Sequence, residues 1–125
     1  MADNDNAGQA LRPARGGFIL IDLAGQAARL QAQRDAANRD RESVSLVKQY
    51  GLNVMLMSLR RGARLHEHHT RGPLTVQVIS GRVNFIAAGA SNEIAAGSMI
   101  ALDREVAHSV EAAEDSTLLL TTAIG

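Results

Sequence analysis

From residue 43 onward the sequence alternates apolar and polar positions with a period of two, and turn-forming residues interrupt it roughly every ten positions. Side chains two apart on an extended chain share a face. Many short strands with such turns form a sandwich or barrel, not a parallel sheet crossed by helices. The pattern predicts strands at 43–47, 52–59, 74–80, 83–87, 92–95, 98–102, 107–111 and 116–122. The tight Ser80-Gly81-Arg82 turn is expected to fold 83–87 back against 74–80.

The N-terminal third reads differently. Residues 1–16 are rich in Asp, Asn, Ala and Gly with few large apolar side chains, the composition of a disordered tail. A first strand is expected at 18–21. A short helix is expected at 24–37, where Leu23, Ala27 and Leu30 give a thin apolar stripe able to lie on a sheet. Residues 17–42 then form an extension to a single domain spanning 17–125, a length at which roughly two-thirds of the unfolded chain's surface can be buried. The only aromatic residues are Phe18, Tyr50 and Phe85, so the core must be aliphatic.

Several functions are excluded by composition. Thirteen basic residues balance thirteen acidic ones, and no basic patch is interleaved with aromatics, so no nucleic-acid partner is expected. Cysteine is absent, which removes thiol catalysis, disulfides and thiolate ligands and fits a reducing cytoplasm. Residues 1–16 hold no apolar signal region, and no apolar run reaches membrane-spanning length, so the expectation is a cytoplasmic protein with no membrane partner. The run 117–124 is strongly apolar and β-prone. As an exposed edge it would aggregate, which predicts a homodimer that covers an edge or a sheet face.

The chemistry concentrates in four histidines within two segments, Leu65-His66-Glu67-His68-His69 and Glu105-Val106-Ala107-His108-Ser109-Val110. If 65–70 is extended, His66, His68 and Thr70 share one face, and Glu67 and His69 take the other. One strand can offer two imidazoles to a metal; a third must come from elsewhere, and His108 is the histidine left to supply it. His66, His68 and His108 are therefore the candidate metal ligands, with Zn, Ni, Cu or Fe favoured over Mg or Mn by neutral imidazole donors.

These segments resemble the two motifs of the cupin superfamily over residues 51–122. The first motif runs Gly, five residues, His, one residue, His, three or four residues, Glu, six residues, Gly; Gly62, His68, Thr70, Leu74 and Gly81 stand in those places. The second runs Gly, five residues, Pro, one residue, Gly, two residues, His, three residues, Asn; Gly97, Asp103, Glu105, His108 and Ala112 stand there. Fifteen residues separate Gly81 from Gly97, as in small bacterial cupins. The resemblance implies an all-β double-stranded β-helix, a jelly-roll barrel, here with a short N-terminal helix, and small cupins are similarly often dimers. It keeps two of the family's four ligands, His68 and His108; Thr70 replaces a histidine and Leu74 the glutamate. His66 would stand in for the lost histidine. Thr70, Leu74, Val76 and Val78 are expected to line the barrel pocket, whose apolar wall predicts a small, partly hydrophobic ligand. Two functions follow: a small cupin that binds a divalent metal and a small molecule, or a metal-free ligand-binding or sensory module with a degenerate metal site.

Overall fold

The helix α1, Leu23–Ala36, starts where Asp22 accepts a hydrogen bond from the Gly25 N–H at 3.1 Å. The structure, a computed structural model, describes residues 17–49, 51–68 and 71–123, with Glu67 and His68 described by their backbone alone. The proposed disordered tail (1–16) and Thr70 lie outside those residues. The expected strand at 18–21 is not formed: the run meets the helix cap at Asp22 after four residues, with Phe18 and Leu20 exposed. Ile21 packs inward, against the cluster under the helix.

Among the described residues nine strands follow: β1 (Arg41–Gln49), β2 (Leu52–Leu59), β3 (Arg64–His68), β4 (Leu74–Ser80), β5 (Arg82–Ala87), β6 (Ala90–Ala95), β7 (Met99–Leu102), β8 (His108–Ala112) and β9 (Ser116–Ala123). They form two antiparallel sheets, β1-β2-β9-β4-β7 and β3-β8-β5-β6. The barrel core lies between them, built from alternate residues such as Val76 and Val78 of β4, Val83 and Phe85 of β5, Val110 of β8 and Leu118 of β9. Each such side chain removed from water contributes about 1.5–3 kcal/mol. Leu74, Val76 and Val78 share the inner face as expected, each at most 2% exposed.

A second cluster holds α1 on the outer face of the five-stranded sheet. Leu30 packs there with Leu46 of β1 and Leu56 of β2, joined by Val44, Val47 and Leu119. Arg34, also on α1 and 2% exposed, reaches the same sheet through Ser58.

Two expectations about pairing are corrected. β4 and β5 do not form a hairpin. β4 pairs with β7 and β9, and β5 pairs with β6 and β8, so Gly81 turns the chain from one sheet into the other. Gly81 has φ +87, and a Cβ there would overlap the Asp115 carbonyl and Ser116, so the corner admits only glycine. The C-terminal run is not an edge either. β9 sits in the middle of its sheet, paired with β2 on one side and β4 on the other. As a central strand it offers no free edge for a second copy to cover. Among the described residues no helix is long and apolar enough to cross a membrane.

Candidate functional site

β3 is the edge of the four-stranded sheet and pairs with β8, the strand that carries the last histidine. Arg64 pairs with Glu111 and Leu65 with Val110; then the ladder slips, and His68 pairs with His108. Three steps along β3 match two along β8, which leaves His66 and Glu67 together opposite Ser109, the pattern of a β-bulge. Leu65 packs on the barrel core, and Val110 and His108, two apart on β8, are both buried, so His108 lies on the core-facing side of that strand. The shared face expected for His66 and His68 assumed an unbroken strand; the bulge breaks that spacing. His66 is exposed, whereas His108 is 2% exposed.

His108 is held on two sides. Its ring lies against Phe85 with centroids 5.5 Å apart and planes 10° from parallel. Its Nδ1 is 3.0 Å from the Val106 carbonyl oxygen, an acceptor, so Nδ1 carries a proton and donates it. A carbonyl that fixes the tautomer in this way is the usual support of a histidine that binds metal through its other nitrogen. It is equally a way to satisfy a core histidine.

The donor set is thin. Leu74, at the position of the family's carboxylate, is 2% exposed in the barrel core and pairs with Leu102 and Thr122. Among the described residues no three His, Asp or Glu side chains gather around one point. Leu74 itself brings no carboxylate, and the backbone register sets position 68 of β3 opposite His108 of β8. Glu105 has φ 65, the left-handed conformation that glycine adopts most readily.

A cleft of about 780 Å³ opens between β1 and β2 on one side and β3 on the other. Met55, Met57, Leu65, Leu74 and Leu120 form its apolar floor, and Arg39, Arg41, Glu42, Ser43, Ser45 and Lys48 its polar side. Of the predicted site residues it includes His66 and Leu74, whereas Val76 and Val78 are packed in the core. A smaller hollow of about 200 Å³ on the β3–β8 surface is lined by His66, Ile86, Ser109 and Glu111. The β1 side of the cleft was not foreseen. Its signal is the polar phase of residues 43 and 45, hidden because the next apolar residues continue the same alternating pattern.

No protein-family model matches the sequence, and no curated protein sequence matches it. Solved structures do match in shape. A conserved protein of unknown function from Streptococcus pyogenes is 20% identical, covering 94% of this chain and 96% of its own, with a TM-score of 0.69. A cupin superfamily protein from Desulfitobacterium hafniense is 14% identical, covering 68% and 78%, with a TM-score of 0.66. A salicylate 1,2-dioxygenase variant from Pseudoaminobacter salicylatoxidans, in complex with gentisate, gives a TM-score of 0.73 at 16% identity. The match covers 92% of this chain but 35% of the dioxygenase.

Proposed function

The chain has the fold of the cupin superfamily, and on that premise we propose that it binds a small molecule in the cleft beside β1 and a divalent metal through His68 and His108. The observation that carries the metal half is the β3–β8 register, which pairs His68 with His108 across adjacent strands. Directly paired residues on antiparallel strands have Cβ atoms about 4.5–5.5 Å apart, within the span of two imidazoles on one ion. The Val106 carbonyl orients the His108 ring with Nε2 as the donor atom. Phe85 stacks on that ring and limits its rotation. A divalent ion there would supply Lewis acidity toward an oxygen of the bound molecule. His66, displaced by the bulge, serves the cleft rather than the ion.

Elemental analysis of the untagged protein, with zinc and nickel titrations, tests this reading alongside H68A and H108A. Expected is near-stoichiometric metal in the parent protein and loss of uptake in both variants. A parent protein that takes up neither ion, or variants that bind as well as it does, would sink the metal half.

A second reading, a metal-free ligand-binding module, has one observation in its favour: Leu74 fills the carboxylate position as a core residue at 2% exposure. Ligand binding in the cleft that is indifferent to chelator would support it.

A further inference from the structure

We propose that the cleft beside β1 selects a small amphipathic anion, a molecule with an apolar body and one terminal carboxylate, and that a bulge in β1 is what aims Lys48 at that carboxylate. This rests on the small-molecule half of the function proposed above.

β1 turns its apolar side chains away from the barrel and its polar ones toward the cleft. Val44 and Leu46 pack under α1. Ser43 and Ser45 pair with Met57 and Met55 of β2 and line the cleft. In an unbroken strand Val47 would come next on the cleft side and Lys48 would turn under the helix. The register shifts between Ser45 and Val47, leaving Leu46 without a partner on β2. Val47 instead pairs with Val54 and packs under the helix, and Lys48 pairs with Asn53 and lines the cleft. One extra residue therefore exchanges a valine for an ammonium group on the cleft wall.

The charges around the cleft are unequal. Arg39, Arg41 and Lys48 line it against one carboxylate, Glu42, an excess of two positive charges (three minus one). Glu42 is already paired with Arg39 at 3.3 Å. Arg41 is steadied by donating from Nη1 to the Arg64 carbonyl at 2.9 Å, which fixes the guanidinium between β1 and β3. The Ser43 and Ser45 positions add hydroxyl donors between these cations and the methionine floor. An apolar floor with cations and hydroxyls along one wall matches a ligand whose charge sits at one end. A volume of about 780 Å³ accommodates such a molecule.

Matched pairs of acid and alcohol test this: octanoate with octan-1-ol, and benzoate with benzyl alcohol, titrated into the full chain and read by calorimetry and amide NMR shifts. Expected is binding of each acid about ten-fold tighter than its alcohol, with shifts in β1 and β2. K48Q should remove that preference, and R41Q should reduce it. Alcohols that bind as tightly as acids would overturn the anion preference and leave the small-molecule cleft standing. A preference that survives in K48Q would overturn the role given to Lys48. A chain in which neither class shifts residues 43–55, including one whose cleft is covered by a second copy, would overturn both this inference and the cleft reading.

Discussion

The guanidinium of Arg34, on the helix, donates to the hydroxyl of Ser58, on the sheet beneath it, at 3.1 Å with both residues buried. Its other partners are half-exposed carboxylates, Asp35 at 3.0 Å and Asp115 at 3.6 Å. One buried cation thus ties α1 to β2 and to the turn after β8. R34M keeps the stem and removes the charge. It is expected to lower stability by about 1–3 kcal/mol in urea unfolding, because Ser58 loses its donor. R34A should cost more, since the stem's packing goes too. An R34A protein as stable as its parent would show that the apolar cluster under the helix holds it without Arg34.

Asp35 gives this cluster a pH dependence. The hydrogen bond from Arg34 holds its carboxyl below the ordinary 3.8, opposed by partial desolvation and assisted by the charges of Arg34 and Arg60. A group with a depressed folded pKa binds fewer protons when folded, so its stabilisation is present above the unfolded value and fades as pH falls through the folded one. The melting-temperature gap between the parent protein and D35N should therefore be full above about pH 5 and close steadily below about pH 4. A gap that is constant from pH 2.5 to 7 would contradict this.

The β5–β6 hairpin carries a local conflict. Ala87 pairs with Ala90, so Ala88 and Gly89 form a two-residue loop, and both have positive φ (51 and 78). That is a type I′ turn, which favours Asn-Gly. Alanine in the left-handed region costs roughly 1 kcal/mol. A88N is expected to raise stability by about 0.5–1 kcal/mol in thermal or denaturant unfolding. A lower midpoint would mean that the loop changes conformation around the new side chain.

Leu74 separates the two functional readings. L74E buries a carboxylate in an apolar core and should destabilise the metal-free protein by several kcal/mol. If His68 and His108 form a metal site, zinc should restore much of the loss and bind more tightly than in the parent protein. A variant whose melting temperature ignores zinc would favour the metal-free module.

The jelly-roll barrel was legible because its core residues obey period two over several strands: Leu74, Val76 and Val78 declare their face without any tertiary information. What stayed hidden was nonlocal. Ser80-Gly81-Arg82 looks the same whether the chain returns beside β4 or crosses to the other sheet; the contact that decides it is with Ser116, far away in sequence. The apolar run of β9 announced burial but not its pairing partners, which are β2 and β4. The histidines were found, but their spacing was read with an ideal period. Bulges in β1 and β3 each insert one residue against a partner strand, and each moves the functional face by one position.

The two phases of β1 answer to different constraints. Val44, Leu46 and Val47 are tied to the helix, and a change there is a change in folding. Ser43, Ser45 and Lys48 face the cleft at the border of the sheet and carry little of the core. A single nine-residue strand can therefore hold its architecture with one set of positions while the other drifts toward new ligands, so diversification of binding need not wait on compensation elsewhere in the barrel.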